Sequence, residues 1–152
     1  MSTRFINYSR QRGVAAVEFA IIAPVFFILL IGIMELGRVL FYMNSAAEAT
    51  RFGARIAVVC DMDAAGIRSR MISRLHILEP EHIAVQYNPA GCGVGSCQSV
   101  TVSIDPSEVV MDTVIPFLGA GFSVVMPAFS TTLPRESLRT EIVGEINPLC
   151  VA

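Results

Sequence analysis

Few residues of this chain stand in arrangements that do chemistry. Gly13 is followed, five positions on, by Glu18 and then Phe19, with Arg10 and Arg12 just before it. A carboxylate inside an otherwise apolar run has a pairing partner and a role as a rule, because an unpaired one costs about 2.5–3.5 kcal/mol in a bilayer. Four cysteines, Cys60, Cys92, Cys97 and Cys150, all follow that run. Their even number suits disulfides in an oxidising compartment, where four cysteines allow three full pairings. Cys92 and Cys97 flank a glycine-rich turn, so proximity favours their pairing; Cys60 with Cys150 then follows by elimination. Zinc is disfavoured: there is no C-x2-C pair, and only His76 and His82 add imidazoles. No cofactor is expected. Catalytic patterns are missing too. G-x-S-x-G does not occur, and Gly119-x-Gly121 runs on to Val124 rather than a third glycine. The acids Asp61, Asp63, Glu79 and Glu81 adjoin turns and read as solvated loop charges.

The surroundings of Glu18 set its context. Val14–Met34 reads VAAVEFAIIAPVFFILLIGIM, long enough at about 1.5 Å per residue to span roughly 30 Å of hydrocarbon. Pro24 sits inside it, which a membrane helix tolerates. The run is longer than a secretory h-region, and the nearest A-x-A site, Ala47-Glu48-Ala49, lies well past its end. All 11 basic residues are arginine, and Arg4, Arg10 and Arg12 precede the run with no acid among them. The positive-inside rule then predicts residues 1–13 in the cytoplasm and everything from Glu35 outward on the other side. Asn7-Tyr8-Ser9 is a formal glycosylation sequon, but it falls on that cytoplasmic piece.

Composition agrees with an anchored chain. Of 152 residues, 53% are hydrophobic and 16% charged, with a mean hydropathy of +0.61. The charged share is below the roughly 25% of ordinary soluble domains. High apolar content with a net charge of -2 excludes disorder as the main state. A pI near 5.6 argues against electrostatic nucleic-acid binding.

The segment RQRGVAAVEFAIIAPVFFILLIGIMELGRVLFYMNSAAEATRFGAR resembles the N-terminal region of TadE-like pseudopilins of the tight-adherence (Flp) pilus system. The resemblance is carried by Gly-x4-Glu-Phe behind a basic flank and by the downstream Ala-x2-Thr-Arg-x-Gly-Ala-Arg; it is close over about residues 10–58 and looser beyond. It implies a prepilin peptidase that cuts between Gly13 and Val14, with Glu18 and Phe19 serving assembly. It implies other pilin or pseudopilin subunits, the Tad secretion machinery and inner-membrane lipid as partners. It also implies a single-pass inner-membrane protein of a bacterium with a periplasmic C-terminal domain, not an enzyme. The alternative is an unprocessed, single-pass anchored periplasmic binding module.

The remaining elements follow from periodicity. Leu36, Val39, Leu40, Met43, Ala47, Thr50, Ala54, Ala57 and Val58 share one arc of a helix, with Asn44, Ser45, Glu48, Arg51 and Arg55 opposite. This predicts an amphipathic extension over 35–60 continuous with the span. Ile67, Met71, Leu75 and Leu78 predict a short helix ending before Pro80, with Arg68, Arg70 and Arg74 on a solvated face. Alternation at Ile83–Tyr87 and Val100–Ile104 predicts an antiparallel hairpin, and Asp105-Pro106 a helix to about Leu118. Thr131–Leu133 and Arg139–Val143 add short strands. The expected fold is α+β over 61–152, with a long N-terminal helix, first transmembrane and then amphipathic, packed pilin-like on a small antiparallel sheet.

Overall fold

The computed structural model describes residues 12–105, 109–112 and 123–151. The expected cytoplasmic leader therefore lies almost wholly outside the described residues. Helix α1 runs unbroken from Arg12 to Ala57 and carries Pro24 inside it. Helix α2 spans Ala65–Arg74, and a 3-10 turn covers Pro80–His82. Strands follow in chain order: β1 Ile83–Asn88, β2 Ser99–Ile104, β3 Val110–Asp112, β4 Ser123–Val125, β5 Phe129–Pro134, β6 Glu141–Ile142 and β7 Glu145–Ile146. The architecture is α+β: the upper half of α1 lies on a three-stranded antiparallel sheet in the order β1-β2-β5. β3 pairs with β4, and β6 with β7, as separate two-stranded ribbons.

Alternation dictates the sheet. In β2, Val100, Val102 and Ile104 are buried against the helix while Ser99, Thr101 and Ser103 face outward. The register pairs Val85 with Val102 and Val102 with Thr131, so one apolar face is continuous across the strands. Against it α1 presents small residues: Ala46, Ala49, Gly53, Ala54 and Ala57 are all buried. Small side chains let backbone layers approach closely, and Gly53 shows the limit. A Cβ there would stand 2.3 Å from Met71 Sδ of α2. Thr50 is the one polar group in this buried stripe. Its hydroxyl donates to the Ala47 carbonyl at 2.9 Å and accepts from Thr131 Oγ1 at 3.2 Å.

Four expectations need revising. The covered face of α1 is wider than the predicted arc and takes in Ala46, Ala49 and Ile56, because α2 packs on a second flank. Leu36 and Leu40, at the lower end of the arc, stay exposed below the domain. The predicted helix from Asp105 is overturned where the chain is described. Val110–Asp112 is a strand paired with Ser123–Val125, and burial of Val109 and Met111 with Val110 outside is the alternation of a strand. The rest of that predicted helix lies outside the described residues. Helix α2 stops at Arg74, since Leu75 turns extended (φ -139°, ψ 92°), yet Leu75 and Leu78 remain core residues. The strand expected at 131–133 belongs to β5, and that at 139–143 shrinks to β6.

The tail is seated by another close approach. A Cβ on Gly66 would meet the Cys150 carbonyl oxygen at 2.5 Å, and the Gly66 N–H donates to that same oxygen at 3.3 Å. Gly66→Ala is expected to lower stability by about 1–3 kcal/mol through overpacking against backbone. Thermal unfolding of the detergent-solubilised chain checks this, with an exposed control such as Ser73→Ala leaving the midpoint in place.

Candidate functional site

Among the described residues nothing covers the N-terminal face of α1. Gly13 and Val14 open the helix, and a Cβ on Gly13 would meet nothing within 4 Å. Val14, Val17, Glu18 and Ile21 recur at helical spacing and line, with Gly13, a shallow, mostly apolar hollow of about 590 Å³. Glu18 is exposed there, as is Phe19, which points off the hollow. Among the described residues, Glu18 has no ion-pair or hydrogen-bond partner. Four residues of helix put its carboxylate about 6 Å along the axis from Val14. The structure thus brings Gly13, Val14 and Glu18 onto one open surface.

That surface belongs to a long uncovered rod. One described helix, Gly13–Ala57, is long and apolar enough to cross a membrane, and none of its most apolar window is buried within the chain. Phe26, Phe27, Ile28, Leu29 and Ile33 are all exposed. In water such a surface would drive association; hydrocarbon or another apolar chain is its fitting solvent.

Where the rod meets the domain, sequence reasoning missed a joint. Arg38 pairs with Glu35, one turn back, at 3.0 and 3.1 Å. The same guanidinium donates to the Asp112 carbonyl of β3. Glu35 is only 12% exposed at its side chain. The i,i+3 spacing of opposite charges at the end of the apolar run was a usable signal. Its tertiary partner, a backbone carbonyl 74 positions away, has no sequence signature.

At the far end the cysteines close two loops. Cys60 and Cys150 sulfurs stand 1.98 Å apart, and Cys92 and Cys97 sulfurs 1.93 Å apart, so the structure carries both disulfides. The first ties the C-terminal tail to the chain just past α1 across a separation of 90 residues. The arginines of α2, expected on a solvated face, each have a partner. Arg68 lies 3.9 Å from Asp63, Arg70 donates to the Pro148 carbonyl at 3.0 Å, and Arg74 stacks 4.4 Å from the Phe52 ring centroid. Among the described residues no group of three His, Cys, Asp or Glu side chains is placed to hold a metal. His82 is spent locally, with Nδ1 accepting from the Glu79 N–H at 3.0 Å.

Residues 13–55 match the family model described as TadE-like protein. That stretch is nearly the whole of α1, and it coincides with the segment whose motifs carry the resemblance; the sheet, the ribbons and both disulfides lie beyond it. No curated protein and no solved structure matches the chain.

Two predictions follow from the domain end. Cys60→Ser with Cys150→Ser is expected to lower stability by roughly 4–5 kcal/mol on loop-closure grounds, and Cys92→Ser with Cys97→Ser by roughly 2. Denaturation midpoints and non-reducing gel mobility check both. Burial holds the Tyr87 hydroxyl above its ordinary pKa of 10.0, where its oxygen accepts from the Asp63 N–H at 2.9 Å. Folding therefore favours the neutral phenol. Its contribution is whole below pH 10 and declines as pH rises past that value, and Tyr87→Phe is expected to flatten this alkaline slope.

Proposed function

We propose that this chain is a pilin-like subunit, a minor pseudopilin, that takes part in assembling a Flp/Tad-type pilus in a bacterial envelope. A prepilin peptidase removes residues 1–13, leaving Val14 as the mature N-terminus. The arginines ahead of the span keep that leader in the cytoplasm, and the α+β domain stands in the periplasm, anchored in the inner membrane by residues 14–34. The role is structural rather than catalytic.

One observation carries the reading. Gly13, Val14 and Glu18 share an uncovered apolar surface at the start of a helix matched by the TadE-like model. Cutting after Gly13 converts Val14 from an amide into a free amine, largely cationic at neutral pH from its reference pKa near 7.7–8.0. Glycine at the cut leaves room for the protease to reach the backbone. In apolar surroundings the new cation and the Glu18 carboxylate each carry a desolvation penalty. Pairing the amine of one subunit with Glu18 of its neighbour offsets both. The pair sets the axial stagger of subunits at about four residues, and it forms only between processed chains. Disulfides in the outer domain fit an oxidising periplasm.

Mass spectrometry of membrane-extracted protein is expected to give a chain that starts at Val14. Gly13→Leu is expected to retain the leader. Glu18→Ala is expected to be processed normally and yet to lose at least tenfold in assembled subunit, read by cross-linking in membranes. A wild-type chain that keeps its first residues when functional overturns the processing step and leaves the unprocessed anchored module. Normal assembly of Glu18→Ala overturns the pairing.

A further inference from the structure

The C-terminal segment forms a rigid knob at the end of the molecule farthest from the membrane-spanning half. Its root is bonded to the top of α1: Glu136 and Leu138 N–H groups donate to the Val58 carbonyl, and Arg139 N–H to that of Val59, at 3.1–3.2 Å. The Cys60–Cys150 disulfide and the bond from Arg70 to the Pro148 carbonyl fix its other side. What it holds outward is apolar. Val143, at the tip of the β6–β7 ribbon, is 99% exposed, and Ile146, Leu149 and Val151 are exposed beside it. Glu141 and Glu145 stand on opposite faces of the ribbon, since Glu141 is opposite Ile146 and Ile142 opposite Glu145.

The tip is strained as well as bare. Val143 has φ 54° and Gly144 φ 82°, both left-handed. Two such residues make the tight hairpin turn that Asn-Gly satisfies readily. A β-branched residue there is an outlier, and strain of this kind marks functional positions. Among the described residues no packing compensates it, because the side chain is almost fully exposed.

A groove of about 570 Å³ lies lower down, on the flank of α1 beside the end of α2, with Phe41 and Phe52 as its apolar lining. Arg51, Arg55 and Arg74 rim it against the single acid Glu48. Glu48 pairs with Arg51 at 2.8 Å, an exposed pair easily exchanged. Arg55 has no acidic partner among the described residues. Arginine outnumbers glutamate three to one in the groove, and the knob brings two glutamates: the charges balance. Arg139 shares a separate cleft with Glu141 and forms no ion pair with it, and Arg135 there is engaged by the Val94 carbonyl. The bilayer is not the occupant at the knob's height. Ala57 lies 23 residues past Met34, about 35 Å along the helix.

We infer that the Glu141–Val151 knob of one copy docks in the Phe41–Arg55 groove of a second copy, with Val143 against Phe52 and with Glu141 and Glu145 against Arg55 and Arg74. Knob and groove are different surfaces at different heights, so the contact is head-to-tail and leaves a free knob and a free groove at the ends; it propagates instead of closing. It builds on the assembly reading above and adds a junction outside the bilayer.

The test places a photo-cross-linking benzoyl-phenylalanine at Val143 in the full-length chain extracted in detergent, where two copies are free to stagger along the helix axis. The expected product is a cross-linked pair of this chain, its second site mapping to Phe41–Arg55 or to Arg74. Monomer alone, capture of a different protein, or a second site elsewhere on the chain overturns the contact. With the probe moved to Ile146, Val143→Asn is expected to cut the cross-linked yield at least tenfold while the thermal midpoint holds or rises, since asparagine suits the turn. An unchanged yield, or a lowered midpoint, overturns it. Arg55→Glu is expected to lose the cross-link and to regain it with a copy carrying Glu141→Arg and Glu145→Arg; failure to regain it overturns the charge pairing. The N-terminal residue is read on the same samples, so a missing cross-link beside a Val14 start rejects the knob contact and leaves the processing step standing.

Discussion

Backbone amides in hydrocarbon must find partners within their own segment, and among its described residues this molecule has one helix long and apolar enough to need that rule. An isolated span has one solution, an unbroken helix. Arg12–Ala57 is an unbroken helix that meets this requirement, and its first half is covered by nothing else among the described residues. Pro24 removes one amide donor without ending it. Every other feature answers to the fact that one end of this rod demands an apolar solvent while the other is wrapped by a folded domain.

The two environments are joined by a short polar hinge point. Glu35 and Arg38 satisfy each other immediately past the apolar run, and Arg38 reaches across to the β3 backbone. Above this joint the helix changes its residue sizes. Leucines, isoleucines and phenylalanines that suit lipid or a neighbouring subunit give way to alanine and glycine, on which the sheet and α2 sit. Stability of the domain thus rests on Met71 seated directly over Gly53 and on the backbone contact between Gly66 and Cys150, with the long-range disulfide holding the tail in place. The part of the chain matched by the TadE-like model ends at residue 55, close to where the helix ends. The covering domain lies beyond that match.

Periodicity made much of this legible. The apolar run was legible from its length and composition, while the helix beyond it and the β1–β2 hairpin follow from patterns at 3.6 and 2.0 residues, because each of those elements buries one face and must repeat its apolar residues at its own pitch. The reading failed where two patterns coincide. Asp105-Pro106 is a good helix start, and Val109, Val110 and Met111 fit a helix or a strand equally until a pairing partner is known; that partner, Ser123–Val125, stands further along the chain. The width of the buried face on α1 was not legible either, since it depends on α2 folding back against Gly53. Gly13, Val14 and Glu18 stood out because charge and glycine are conspicuous in an apolar run. Arg38 did not, since its importance lies in a carbonyl brought to it by tertiary structure.

The central claim is that residues 14–34 live in hydrocarbon and that the polar environment begins at Glu35. Hydrogen–deuterium exchange of the full chain in lipid nanodiscs tests it most directly. Backbone amides from Val14 to Met34 are expected to resist exchange for hours in nanodiscs, with faster exchange setting in over Leu36–Phe41, between bilayer and domain. Exchange of the 14–34 amides within minutes, or a chain that stays dispersed in water with no lipid or detergent, would contradict the account.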